Sequence, residues 1–160
     1  MRRSALVFLW VVTVAWAAQI YTFSTATFGG IFTTWLLSQI LRLVHATVSL
    51  KTFILLHHLM RKSAHLTEYA LFSMLLYYSL GQRREWRRKP AIWALVIAGL
   101  YSLSDEFHQL FVPGRGPSIF DSGIDTVGAC LGIVIVYIVC RLDRNRPEAP
   151  KEEVPVKSSS

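Results

Sequence analysis

An all-helical (all-α) membrane protein is the fold class that this sequence predicts, and three of its features lead there. The apolar residues are concentrated in long runs, and four of these runs approach the roughly 20 residues that a helix needs to cross a bilayer. Lysines and arginines cluster in short segments between the runs. Acidic residues lie within or beside the runs, where they are costly unless they face a bundle interior. We expect an integral membrane bundle of four transmembrane helices plus one amphipathic interfacial helix.

Composition limits the classes of protein to consider. The chain has 160 residues, enough for one domain, with 52% hydrophobic residues and a formal net charge of +7. No nucleic-acid-binding motif accompanies that charge, so we expect no nucleic acid partner. Cys130 and Cys140 stand ten residues apart in one apolar run, too far apart to form a disulfide bond, and are interpreted as packing residues.

Residues 1–57 are expected to hold the first transmembrane helix and the interfacial helix. The apolar run at 4–21 reads either as a retained anchor or as a cleaved signal peptide, and its length favours the anchor. Residues 22–30 predict a loop, because they are small and polar and end in two glycines. Residues 31–50 are apolar at helical spacing but interrupted by polar side chains, which favours an interfacial helix over a fifth span.

Residues 58–141 form the expected transmembrane core, with spans at about 62–80, 90–111 and 119–141. The segment between the first two of these spans is strongly basic. The segment between the last two is rich in proline and glycine, which predicts a turn. Residues 142–160 are charged and contain proline, which predicts a disordered cytoplasmic tail.

The distribution of basic residues predicts the orientation in the membrane. Twelve of the 17 lysines and arginines fall at the two termini and in the loop at 81–90, which four spans place on one side. Basic loops stay in the cytoplasm. Both termini are therefore expected to be cytoplasmic, in a multi-pass membrane protein, and the acidic residues of the spans then lie near the outer face of the membrane.

Polar residues near the outer ends of three spans form the predicted site. Arg61, His65 and Glu68 stand at i, i+4 and i+7 on one helical face, and Asp105 and His108 are similarly spaced on the next span. Two interpretations stay open: ion pairs that hold the bundle together, or a ligand-binding site. The excess of polar groups at one depth favours a ligand site. Its predicted residues are Arg61, Lys62, His65, Glu68, Tyr69, Asp105, Glu106, His108, Gln109, Arg115, Ser118, Asp121 and Asp125.

Metal binding and nucleophilic catalysis fit this cluster less well. A histidine and a carboxylate stand three residues apart on two helices, a spacing found in dinuclear metal sites, but nearby basic residues compete for the carboxylates. We expect neither a metal nor another cofactor. Ser118 could act as a nucleophile near His108, but a serine in a turn before Asp121 is more often a helix cap. Catalytic residues therefore stay unassigned.

Gly128 and Gly132 lie on the same face of the last span as Asp121 and Asp125. Their G-x-x-x-G spacing lets another helix approach closely. We expect this face to pack against a helix of the bundle, and a homo-oligomer would form through the same face.

Three motifs within residues 58–133 resemble those of VanZ-like proteins, a family named after a teicoplanin-resistance accessory protein. They are, in order, Arg61-Lys62-x-x-His65-x-x-Glu68-Tyr69; Ser104-Asp105-Glu106-x-x-Gln109-x-Phe111-x-Pro113-Gly114-Arg115; and Ser118-x-x-Asp121-x-x-x-Asp125-x-x-Gly128-x-x-x-Gly132. The chain departs from the family at Leu66, where Phe is frequent, and at Asp125, where many members have Asn. Residues 1–57 carry no motif. The resemblance implies a multi-span bacterial membrane protein, linked in some members to low-level glycopeptide resistance, and it implies no particular reaction.

Three functions remain as alternatives. The cluster would bind a membrane lipid or a lipid-linked envelope precursor, with Arg61, Lys62 and Arg115 holding its phosphate or carboxylate. Alternatively, the protein would be a membrane enzyme that acts on a lipid-linked substrate, with His65 or His108 as the general base. A transporter or proton-coupled channel is the third alternative, which four spans without an internal repeat disfavour. We predict the first function, in the cell envelope.

Overall fold

The computed structural model describes residues 3–24, 26–81, 86–111 and 119–145. All of the regular secondary structure within these ranges is helical, which confirms the all-α prediction. The helices are α1 (Arg3–Ser24), α2 (Ala26–Leu43), α3 (Leu50–Gly81), α4 (Arg88–Gln109) and α5 (Ile119–Arg144).

The loop that we predicted at 22–30 is wrong, because α1 continues to Ser24 and α2 begins at Ala26. Hydroxyl groups explain how this polar segment stays helical. Thr22 donates to the carbonyl oxygen of Gln19, and Thr34 donates to that of Gly30, both at 2.8 Å. Each hydroxyl is thus satisfied by its own helix, so the polar residues do not force a loop.

Helix α2 ends at Leu43, seven residues before the predicted end of that element. His45 takes a left-handed backbone conformation, with a φ of 52°. The N–H of Ala46 donates to the carbonyl of Leu41, and the N–H of His45 donates to that of Arg42. This is the Schellman arrangement that usually has glycine at the position of His45. Because histidine stands there in place of glycine, the end of the helix could not be predicted from the residue types.

Helix α3 is the longest element and extends beyond the thickness of a bilayer core. Its hydroxyl cap is Ser49, whose Oγ accepts the N–H of Thr52 at 3.2 Å. The helix has 32 residues and is therefore about 48 Å long, against roughly 30 Å for the hydrocarbon core. Its first part projects from the bundle, where Thr33 of α2 lies 2.8 Å from the imidazole Nε2 of His57.

The helices alternate in direction around a shared core. Helices α3 and α5 run parallel, since Lys62 lies beside Asp121 and, further along both helices, Ser73 donates to the carbonyl of Ala129. Helix α1 runs the other way, with Thr13 beside Ser79, and α4 runs with α1. The buried core residues come from all four of these helices: Ile20, Tyr69, Phe72, Leu76, Tyr77, Ala91, Ala94, Ala98, Ala129, Ile133, Val136 and Cys140.

This arrangement gathers five acidic residues at one end of the bundle and six basic residues at the other. The acidic end is defined by Glu68, Asp105, Glu106, Asp121 and Asp125. The basic end is defined by Arg3, Arg87, Arg88, Lys89, Arg141 and Arg144. The acidic residues of α3, α4 and α5 therefore share one end of the molecule, as their sequence positions predicted.

Glycines of α5 pack directly against the backbone of α3. A Cβ atom on Gly128 would lie 2.4 Å from the carbonyl oxygen of Leu66, and one on Gly132 would lie 2.2 Å from that of Ala70. The predicted close helix approach is therefore an intramolecular contact. Because α3 already covers this face of α5, the face is not available as the contact of the predicted homo-oligomer. The homo-oligomer itself stays a prediction.

Among the described residues, two helices are long and apolar enough to cross a membrane: Arg3–Ser24 and the Phe120–Arg144 part of α5. Helices α3 and α4 fall short because polar and charged side chains lower their mean hydropathy. Large apolar side chains such as Phe8, Val11 and Trp93 are nevertheless exposed on the bundle surface, as they would be against lipid. These features suggest a membrane protein, and the predicted four-span arrangement is only partly supported by them.

Candidate functional site

Asp125 is the most thoroughly enclosed acidic residue of the cluster. Its side chain is 2% exposed. The hydroxyl of Ser102 on α4 donates to Oδ2 of Asp125 at 2.8 Å and lies 3.0 Å from the hydroxyl of Ser122. Oδ1 of Asp125 lies 3.6 Å from Nδ1 of His65 on α3. Asp125 thus joins three helices, which favours a structural role for it.

Asp105 lies one helical turn from Ser102 on α4 and is 3% exposed. Its Oδ2 accepts a hydrogen bond from Nε2 of Gln109 at 3.1 Å, and the same nitrogen lies 3.0 Å from the hydroxyl of Ser24 on α1. Its Oδ1 has no hydrogen-bond partner among the residues that the structure describes. Burying a carboxylate oxygen without a hydrogen-bond partner costs folding free energy unless a cation or a hydrogen-bond donor reaches it.

Helix α1 supplies side chains that the sequence analysis did not assign to the site. The hydroxyl of Tyr21 lies 3.0 Å from Nε2 of His108, and their rings are 4.6 Å apart. Ser24 contacts Gln109, and the indole N–H of Trp16 donates to the carbonyl of Glu68. The sequence does contain a signal for them, namely polar residues at the end of the first span. Applying to this span the argument from membrane depth that we used for the other spans would have included them in the site.

Arg61 and Lys62, the two basic residues of α3 that were predicted to pair with the acids of the cluster, do not reach its two most buried acids. Lys62 lies 4.0 Å from Asp121, and both side chains are about half exposed. A pair this exposed contributes little stability. Neither Arg61 nor Lys62 forms an ion pair with Asp105 or Asp125 among the described residues. Of the ion pairs that the stapling interpretation expected from those two residues, the described part of the chain has one, the exposed pair of Lys62 with Asp121.

Several predicted residues have limited or no access to a ligand. Tyr69 is completely buried in the core, and Glu106 is also buried. Arg115 and Ser118 lie outside the described residues.

No set of three or more His, Cys, Asp and Glu side chains is arranged for metal binding in the described ranges.

A cavity of about 180 Å³ opens between α1, α2 and α3 at the acidic end. Most of its lining is apolar. Three predicted site residues, Arg61, His65 and Glu68, form its polar wall. The remaining lining residues are Phe23, Phe32, Thr33, Leu36, Met60 and Ala64.

A second, shallower groove runs between α1 and α3. It shares Met60, Ala64 and Glu68 with the cavity and continues along α3 to Leu71. Trp16 and Gln19 of α1 form its other side. Glu68 is therefore accessible from both openings, and the arrangement suits a molecule with a charged part and a long apolar part.

The chain was compared with known proteins. A family model described as VanZ/LLP1 matches residues 5–140. The match includes most of the N-terminal segment in which we found no motif. The search of curated proteins gave no match, and the search of solved structures gave none either.

Proposed function

Because the chain belongs to the VanZ/LLP1 family, we propose that it is an envelope membrane protein that binds an amphiphile at the acidic end of its bundle. The ligand is a membrane lipid or a lipid-linked cell-wall precursor. Its head group contacts Arg61, His65 and Glu68, and its apolar chain lies against α1 and α3.

The observation that carries this proposal is the mixed lining of the cavity between α1, α2 and α3. A binding site for a water-soluble anion would have mostly polar walls. Here, apolar walls meet one polar wall at Arg61, His65 and Glu68. Burial of an alkyl chain contributes about 0.8 kcal/mol per CH₂ group, and a guanidinium can bind phosphate oxygens through two hydrogen bonds.

The same proposal includes the arrangement in the membrane. Helices α1, α3, α4 and α5 cross the bacterial cytoplasmic membrane, with both termini in the cytoplasm. Helix α2 lies at the outer interface beside the projecting part of α3. The acidic end then faces outward, where lipid-linked precursors are used and glycopeptides act. Binding of such a precursor would change its exposure to teicoplanin, which is how the resistance associated with the family would arise.

The variant Ala64→Phe tests this function, because Ala64 lines both openings. We expect the added ring to fill the site and to reduce co-purifying lipid about tenfold, which corresponds to about 1.4 kcal/mol. The matched control is Leu59→Phe on the same helix. Leu59 is exposed and lines neither opening.

Native mass spectrometry of the purified proteins, with equal amounts of folded protein loaded, measures the bound lipid. Lipid that remains on the Ala64→Phe protein at the level of the Leu59→Phe protein would rule out this cavity as the binding site.

One observation favours enzymatic activity as a second candidate. His65 lines the cavity while its Nδ1 lies 3.6 Å from the buried carboxylate of Asp125. A carboxylate beside an imidazole can orient it as a general base. Incubation of the protein with total envelope lipid separates the candidates, because an enzyme generates lipid masses that were absent before, and a binding protein returns the same masses.

A further inference from the structure

Glu68 is the residue at which the cavity and the α1–α3 groove meet. Its backbone carbonyl is held by the indole of Trp16. Its carboxylate, by contrast, makes no hydrogen bond or ion pair with another described residue. The side chain is thus positioned by the fold while its charged group is available to a ligand.

A second carboxyl group, that of Asp105 on α4, lies at the same end of the bundle as Glu68. Asp105 is nine-tenths or more buried, and its Oδ1 lacks a hydrogen-bond partner among the described residues. A carboxylate in a poorly solvated region requires an opposite charge or a hydrogen-bond donor, and a cation bound between these groups would supply both.

Neither Arg61 nor Lys62, the basic residues of α3 near Glu68 in sequence, forms an ion pair with it. Lys62 lies at the outside of the bundle beside Asp121. Arg61 lines the same cavity as Glu68 but stands seven residues earlier, about 10 Å along the helix axis. The cavity wall therefore has a positive group toward its outer end and a negative group deeper in the bundle.

We propose that the ligand head group is zwitterionic, with a primary ammonium group that binds Glu68 and a phosphate that binds Arg61. This inference rests on the proposed lipid-binding function and specifies its head group. A primary ammonium donates hydrogen bonds to a carboxylate, whereas a quaternary ammonium cannot. An aminophospholipid of the ethanolamine type has both charged groups on one short linker, and its acyl chains fit the groove toward Leu71.

Competition among three phospholipids with identical acyl chains tests the head group. The purified protein is mixed with equal amounts of phosphatidylethanolamine, phosphatidylglycerol and phosphatidylcholine in detergent, and native mass spectrometry counts each bound lipid. We expect about tenfold more phosphatidylethanolamine than either competitor, a difference of about 1.4 kcal/mol. In Glu68→Gln this preference should fall to near unity.

Asp143→Asn is the matched control, because it removes one carboxylate from an exposed position near the basic end. It should keep the preference of the natural protein. The preference is a ratio measured within one sample, so a lower yield of folded Glu68→Gln does not change it. An equal uptake of phosphatidylglycerol by the natural protein, or a preference retained in Glu68→Gln, would overturn the inference.

The source of the ammonium group is tested separately with soluble phosphoethanolamine as a competitor. Displacement of the lipid only at a large excess supports a membrane lipid as the ligand. Displacement at equimolar concentration would overturn the assignment to a lipid, because it shows that the acyl chains contribute nothing. The Ala64→Phe result distinguishes failure of this inference from failure of the proposed function. If all three lipids bind equally and Ala64→Phe abolishes their binding, the head-group inference is refuted and the lipid-binding function stands.

Discussion

At the residue scale, the acids of the cluster lie in two different environments. Asp125 is held by Ser102 and lies beside His65, inside the junction of three helices. Glu68 faces the cavity and the groove. Buried, hydrogen-bonded carboxylates contribute to stability, while partly exposed ones at a cavity are available for binding. The single predicted site thus divides into a buried part, for which we expect a structural role, and a part that lines the cavity, where we propose that the ligand binds.

The structural role of the buried part is tested by Ser102→Ala, which removes the donor to Asp125. Loss of a hydrogen bond to a charged group costs about 1.5–3 kcal/mol, so we expect a lower thermal unfolding midpoint in detergent. Ser104→Ala is the control, because Ser104 is exposed and its hydroxyl donates only to the carbonyl of Tyr101 on its own helix. Equal midpoints for the two variants would show that Ser102 does not support the junction.

The spacing of polar residues on each span located Asp105, Asp125 and His65 at one end of the bundle. The spacing could not identify their partners. Hydrogen bonds such as those between Gln109 and Ser24 depend on how far each helix is rotated and shifted against its neighbour. That information resides in the packing of α1 on α4, which a pattern along one helix does not contain.

At the scale of elements, α3 and α5 form the centre of the molecule. Their backbones approach closely at Gly128 and Gly132, because glycine has no side chain to hold the two helices apart. The long apolar runs predicted both helices well, because the apolar face of each must be buried or face lipid. The boundaries near residues 22–30 and His45 were missed, because hydroxyl back-bonding and a left-handed histidine leave no sequence signal.

Gly132→Ala tests the contact between these two helices. Its new methyl group would meet the carbonyl oxygen of Ala70 at 2.2 Å and the hydroxyl of Ser73 at 2.3 Å. Such overpacking typically costs 1–3 kcal/mol, so we expect about that loss of stability and reduced abundance in the membrane.

The control is Gly123→Ala on the same helix, where an added Cβ meets nothing within 4 Å. Alanine favours helix over glycine by about 1 kcal/mol, so this variant should be at least as stable as the natural protein. A Gly132→Ala protein as abundant as Gly123→Ala would contradict the close packing of α3 on α5.

At the scale of the whole molecule, the two ends of the bundle differ in the charged residues that they contain. The basic end is the one that we propose to lie in the cytoplasm, since lysines and arginines favour that side of a membrane. The acidic end has the cavity, and α2 and the projecting part of α3 lie beside it. The central claim is that this acidic end faces outward across a membrane, so that its site meets lipids of the outer leaflet.

Thiol labelling of intact cells tests that claim most directly. Cys130 and Cys140 are replaced by alanine, and one cysteine is introduced at exposed Phe111, near the acidic end, or at exposed Lys89, at the basic end. We expect a membrane-impermeant maleimide to label Phe111→Cys in intact cells and to label Lys89→Cys only after the membrane is opened. Labelling of Lys89→Cys but not of Phe111→Cys in intact cells would contradict the account and place the site on the cytoplasmic face.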